Sequence, residues 1–267
     1  MSLEYLIEVI SRYINNSPYD LLALLWFLAC WASYSIIIDN FLRSSRGLSA
    51  RMHLYRIQWM ITALQRENRV VETNIIQSYQ YSISFFASTA ILIIAGLLAM
   101  LSASSTAIAI IKQIPFVVAS PKMIWYSKNF LLIYLFIYAF FKLTWALRQL
   151  NYCTIMIGAL PLVKDPQKVY EYAPAARRVA MVATMAVKDM NRGIRAYYFA
   201  IAVLAWFMNP LFFMIATAWV MIVLYRREFK SRVLHVLAMP AKAVPNSLQN
   251  TQTHQTSSIF SGDDLDD

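Results

Sequence analysis

From Ala196 to Tyr225 the chain runs for 30 residues with no ionisable side chain except tyrosine, interrupted in the middle by Asn209-Pro210. Hydrocarbon satisfies no backbone polar group, so a stretch of this kind folds there as helix. As one helix it would measure about 45 Å at 1.5 Å per residue, more than the roughly 30 Å core of a bilayer requires. Two arms of about 15 residues joined at Asn209-Pro210 fit a membrane hairpin, and a single kinked fourth span is the alternative.

Three further apolar runs are long enough to cross. They cover about residues 21–38, bounded by Pro18 and Asp20 on one side and Asp39 and Asn40 on the other, then about 85–101 and about 125–143. In the second, Ser84, Ala87, Ser88, Ala95, Gly96 and Ala99 are small, as close helix packing in a membrane needs. The third ends in Lys142, Trp145 and Arg148, the residue types of an interfacial terminus. Ile108 to Val118 carries Lys112 and Pro115 and reads as a shallow surface segment. Only 14% of the residues are charged against 59% hydrophobic, and mean hydropathy is +0.49. That leaves too little polar surface for a soluble globule. Two cysteines, Cys30 and Cys153, make no disulfide framework. The fold class that follows is all-α: a multi-pass helical membrane protein with three full spans plus a C-terminal membrane hairpin.

Between the spans the chain is amphipathic. Leu3, Leu6, Ile7, Ile10 and Ile14 share one helical face, which predicts an interfacial N-terminal helix; with Glu4 and Glu8 where a positive n-region would stand, it does not read as a cleavable signal. Leu54, Ile57, Ile61, Leu64, Val71 and Ile75 recur at helical spacing and predict one long helix over 51–77. Pro174 suits the first position of another helix, through the alanine-rich 175–188 and on toward the membrane. Residues 1–244 thus form a single helical membrane domain. Residues 245–267, polar and ending in Asp263, Asp264, Asp266 and Asp267, form a disordered acidic tail.

Basic residues orient the spans. With the N-terminus outside, a C-terminal hairpin collects 20 of the 24 Lys and Arg residues on the cytoplasmic side, whereas a single last span would collect 15. The hairpin is preferred, which makes the C-terminus and Lys242 cytoplasmic, and the amphipathic connections form a basic cytoplasmic layer.

Four runs, SFFASTAILIIAGLLA from Ser84, YAFFKLTWALRQLNYC from Tyr138, NRGIRAYYFA from Asn191 and LYRREFKSR from Leu224, resemble the bacterial inner-membrane family catalogued as domain of unknown function 599. The likeness extends over about residues 21–232. It implies a multi-pass protein of the bacterial inner membrane and brings no catalytic role to Lys142, Arg192 or Arg195.

The chemistry expected from the residues is sparse. No cofactor or metal is expected, since His53, His235 and His254 stand apart without ligand partners at helical spacing. Glu67, Glu72 and Asp189 each have Arg within about one turn, the pattern of solvated ion pairs, and lone Gly193 suggests helix packing. Tyr134, Tyr138, Lys142, Trp145, Gln149 and Tyr152 form one stripe on the third span, the best polar path the sequence offers; an aromatic belt with a snorkelling lysine gives the same spacing. Lys142 and Asp39 both follow apolar runs that end on the same side, so they are expected to pair. Arg192, Arg195, Arg226 and Arg227 are expected to contact lipid. The function expected is a non-enzymatic membrane scaffold or accessory subunit, with a small-solute or ion transporter using the Lys142 face as the alternative. Its partners would be the phospholipid bilayer with its anionic head groups, and other membrane proteins or a homo-oligomer. Nucleic acid is not expected, because the cations are dispersed over several connections.

Overall fold

The computed structural model describes residues 18–41, 47–111 and 121–238, with the side chains of 35, 37–41 and 111 excepted. The predicted N-terminal helix, most of the shallow segment, Lys242 and the acidic tail lie outside the described residues. Those described form eight α-helices and no strand: α1 Pro18–Phe41, α2 Leu48–Ala63, α3 Val70–Ser102, α4 Ser104–Ile111, α5 Lys122–Gly158, α6 Val169–Trp206, α7 Pro210–Phe229 and α8 Arg232–Ala238. Three stretches are long and apolar enough to cross a membrane: Val70–Ser102, Lys122–Gly158 and Pro210–Leu237, the last bending at Lys230–Ser231 between α7 and α8. The expected first span is the 24-residue α1. The described fold is all-α, and these lengths and compositions are consistent with a multi-pass membrane protein.

The hairpin forms, with unequal arms. α6 ends at Trp206, and the Asn209 side chain accepts the Leu211 N–H to start α7, with Pro210 at the first helical position, where it costs no hydrogen bond. The chain doubles back there: Trp206 stacks on Phe213 with ring centroids 4.8 Å apart, and Arg227 of α7 donates to the Tyr198 hydroxyl of α6. Yet α6 has 38 residues, about 57 Å, because the alanine-rich segment and the first hairpin arm are one continuous helix. It also begins five residues before Pro174, after a 3-10 turn capped by Asp165, so Pro174 lies inside the helix.

The predicted helix over 51–77 is two helices. Leu64 to Arg69 break it: Asn68 accepts the Val70 N–H, and the Arg69 guanidinium turns away to donate to the carbonyls of Ile157, Leu160 and Pro161 at the end of α5. The Leu64 carbonyl accepts from Val163 N–H. Apolar periodicity continues through the break and conceals it, since α2, packed on α6, and the start of α3, packed on α5, both turn their apolar faces into one core.

α3, α5 and α6 are each longer than a bilayer core is thick, and their excess projects from one end of the bundle, where α2 packs across α6. One hydrophobic core occupies that layer, built on Met60, Leu64, Ile76, Leu150, Ile157 and the α6 alanines 176, 180, 183 and 186. A second fills the bundle, with Phe27, Leu132, Leu135, Phe136, Phe199, Trp206 and Phe213. Outside it, Phe85, Leu92, Phe130, Phe141, Ile201 and Trp219 project outward, as lipid-facing residues do. The small residues of the second span are not all at a packed face. Ile83, Ala87 and Ala90 are buried, but Ser84, Ser88, Ala95, Gly96 and Ala99 are exposed. A helix apolar all round gives a small residue no reason to face protein.

Candidate functional site

Two clusters of charge lie inside the bundle, separated along α5 by the 14 residues from Lys128 to Lys142, a rise of about 21 Å. Both fall within the apolar Lys122–Gly158 helix, where an ionisable group is costly and marks a place that needs explaining.

The first cluster joins the ends of three helices far from the α2 layer. Lys128 of α5 is 2% exposed and Asp20 of α1 is 5% exposed, with their charged atoms 3.4 Å apart. The Trp206 indole N–H donates to Asp20 Oδ1 at 2.6 Å, and Lys128 donates to the Trp206 carbonyl at 2.9 Å while its ammonium stands 5.4 Å from the centre of the Trp206 ring. That carbonyl closes α6 and has no acceptor role left within the helix, so a cation at that point also meets the negative end of the helix dipole. Sequence reasoning missed this cluster. The available signal was positional: Asp20 opens one apolar run, Lys128 stands inside another, Trp206 closes a third, and the inferred topology brings all three to one side.

The second cluster lies at the other end of the bundle. Asp189 of α6 accepts from Lys142 Nζ at 3.1 Å, from Gln149 Nε2 at 2.8 Å and from Arg192 Nη1 at 3.2 Å. The expected partner of Lys142 was Asp39, whose side chain is outside the described residues; the partner observed is Asp189. Nor is Asp189 a solvated surface acid: it is 7% exposed, and Glu72, held by Arg66, is fully buried. Glu67, facing Lys164 at 3.8 Å with both side chains exposed, is the one of the three that fits the expectation.

The predicted stripe on α5 is divided. Lys142 and Gln149 turn toward α6, whereas Tyr134, Trp145 and Tyr152 are exposed. The stripe follows the edge between packed and outward surface, because residues within about 80° of arc on a helix can fall on both sides of such an edge. Tyr138 packs edge-on against Trp31 of α1.

Above the second cluster is a cavity of about 330 Å³. Lys142, Arg192 and Arg195 supply its charge, and Trp31, Tyr34, Tyr138 and Phe199 supply aromatic walls. The Trp31 and Phe199 rings stack at 5.4 Å, and the Arg195 guanidinium lies over the Tyr34 ring at 5.5 Å. Arg226 and Arg227 are outside it, exposed near the end of α7. Gly193 belongs to the same helix contact: a Cβ there would stand 2.8 Å from Leu143 Cγ and 3.3 Å from the Ala139 carbonyl, so α5 and α6 approach this closely only over glycine.

Between the clusters the bundle is packed with apolar side chains. Leu132, Leu135, Phe136, Phe27 and Phe199 fill the intervening length and are buried. Among the described residues no group of three His, Cys, Asp or Glu could hold a metal ion, and Cys30 and Cys153 are buried free thiols.

No curated protein and no solved structure matches the chain. A family model does match, over residues 22–233, described as a protein of unknown function, DUF599. That range runs from within α1 to the start of α8 and takes in the cavity and both clusters except Asp20, and the chain belongs to this family.

Proposed function

We propose that this protein is a non-enzymatic membrane scaffold or accessory subunit of the bacterial inner membrane, its N-terminus outside and the α2 layer in the cytoplasm against anionic lipid. The observation that carries this reading is the packed aromatic and aliphatic section between the two charged clusters. A transporter needs polar groups or discontinuous helices near the midplane, and that section is filled by the buried apolar side chains of Phe27, Leu132, Leu135, Phe136 and Phe199, with Thr217 the buried polar residue on α7. The same reading takes the buried carboxylates as structural, since Asp20, Glu72 and Asp189 each face a cation. Orientation rests on the basic layer: each Lys or Arg near an anionic leaflet contributes about 1 kcal/mol.

Reconstitution tests it. Purified protein in sealed liposomes should produce no ion or solute flux above that of empty liposomes, while affinity purification from native membranes should recover a defined membrane-protein partner in fixed ratio. Flux that Lys142→Met abolishes would overturn the scaffold and establish transport along the Lys142 face.

A further inference from the structure

We infer that the exposed face of α6 in the layer, a stripe of Arg177, Arg178, Met181 and Met185, is the docking surface for this chain's own acidic segment, with Ile259 and Phe260 against the methionines and the aspartates at 263, 264, 266 and 267 against the arginines. The inference relies on the membrane placement above and not on the scaffold role.

Helical spacing makes the stripe. At 100° per residue, Arg177, Arg178, Met181 and Met185 fall within about 100° of arc, on the side away from the buried Ala176, Ala180 and Ala183. Met181 is 45% and Met185 55% exposed, and both arginines are exposed. Trp206, which closes α6 at the far end of the bundle, lies about 32 Å along the helix from Met185 and about 38 Å from Met181. A hydrocarbon core of roughly 30 Å ends before either is reached. Two neighbouring methionines beyond the core are uncovered apolar surface, and their pliable thioethers suit an irregular apolar partner.

The charges on the stripe are available. Among the described residues no carboxylate stands within ion-pair distance of Arg177 or Arg178. Toward the start of α6 the first carboxylate met is Glu171, about 9 Å of rise from Arg177.

The occupant follows from where the chain goes next. α8 ends at Ala238 and packs on α2, and Glu228 of α7 accepts the Ser49 N–H of α2 at 3.1 Å. One turn along α2, His53 Nδ1 is 2.9 Å from Thr184 Oγ1, and Met185 follows Thr184 in the sequence. The 22 residues from Met239 to Phe260 span about 25 Å as a coil, enough to reach the stripe from there. From Ala243 onward the only charged residues are the four aspartates, with Ile259 and Phe260 just before them. An aromatic ring gains a specific contact with methionine sulfur, and the arginine fork matches carboxylate oxygens. Exposed ion pairs are weak singly. A tethered segment makes weak contacts count, because a short linker holds its end at about millimolar effective concentration, which a separate protein would have to supply itself.

Brief peroxide oxidation of the purified full chain, with each methionine read by peptide mass spectrometry, tests the docking. Met181 and Met185 should oxidise several-fold more slowly in the full chain than in a chain ending at Asn246. Met123 and Met208, 41% and 36% exposed and far from the layer, should react alike in both and report that the fold is kept. Should the shortened chain fail to fold, Phe260→Ser in the full chain still decides and should release both methionines to the same extent, as should Arg177→Gln with Arg178→Gln. Equal oxidation in full and shortened chains, or protection that survives Phe260→Ser and the paired arginine changes, would overturn the docking. Protection that disappears on dilution would place the segment on a second copy, and protection of the shortened chain by phosphatidylglycerol vesicles to the level of the full chain would give the stripe to lipid; either result overturns the intramolecular contact, whatever the flux experiment shows of the scaffold.

Discussion

The two cores of this protein are built from different materials. In the α2 layer the contact surface of α6 is alanine, at 176, 180, 183 and 186, and polar side chains work around it: Thr184 with His53 and Arg56, and Arg69 on three carbonyls of the α5 terminus. In the bundle the fillers are Phe27, Phe136, Phe199, Trp206 and Phe213, and polar contacts retreat to the two ends. Water explains the contrast. In the proposed placement the layer has an aqueous side, so burying even small apolar side chains is favourable there. Between spans, lipid tails are as apolar as the side chains, so association relies on dispersion, ring stacking and a few strong polar bonds in low dielectric. The difference teaches that the layer is held along its length and the bundle at its ends.

The hardest test of that contrast is at Asp20. Asp20→Ala removes the carboxylate facing Lys128 in a nearly dry site and should cost about 3–5 kcal/mol, the usual penalty for breaking a buried pair. Adding Lys128→Met to it should restore much of the loss, measured by thermal unfolding in detergent. If Asp20→Ala costs less than about 1 kcal/mol, the bundle is not held at that end.

A smaller effect sharpens the contrast at the join between the two cores. Gly193→Ala gains up to about 1 kcal/mol of helix propensity, but its methyl meets Leu143 and the Ala139 carbonyl, an overpacking worth about 1–3 kcal/mol. The clash should win and the protein should lose stability. Gly96→Ala, with nothing within 4 Å of the added Cβ, should be neutral or stabilising in the same assay.

The smallest effect belongs to the layer. His53 has its pKa lowered from 6.5, by burial first and then by the charges of Arg56 and Lys188. Thr184 Oγ1 already donates to the Ala180 carbonyl, so His53 Nδ1 carries the proton that Thr184 accepts. The sign follows: an imidazole with a depressed folded pKa contributes fully above 6.5, and stability is lost as the pH falls below that value, where the unfolded chain binds a proton that the fold resists. His53→Gln should flatten the slope of layer stability between about pH 7.5 and 5, as read by hydrogen exchange of α2.

Much of the fold was legible in the residues. Runs of apolar side chains between charged ends need helices, because no other structure satisfies the backbone in hydrocarbon, and Asn209-Pro210 marked the hairpin turn because it caps one helix and cannot continue another. The site was legible in part. Lys142 and Gln149 stood out by spacing and Arg192 was expected to face lipid, but their common acid, Asp189, looked like a surface partner of Arg192, and the Lys128 cluster went unseen.

The sequence by itself determined that the chain is all helical, where its apolar runs lie and where the last of them turns, since these depend on local chemistry: hydropathy, caps and prolines. Only the tertiary structure decided which face of each span is buried, that α6 is continuous through layer and bundle, that Arg69 ends one helix by binding another, and that Asp20, Lys128 and Trp206 meet. The physical reason is that a helix apolar around its whole circumference carries no periodic signal of which side packs. Its partners are chosen by shape and by a few buried charges, whose cost is met only when distant residues come within hydrogen-bond distance, as Asp189 and Lys142 do across 47 positions and Asp20 and Trp206 across 186.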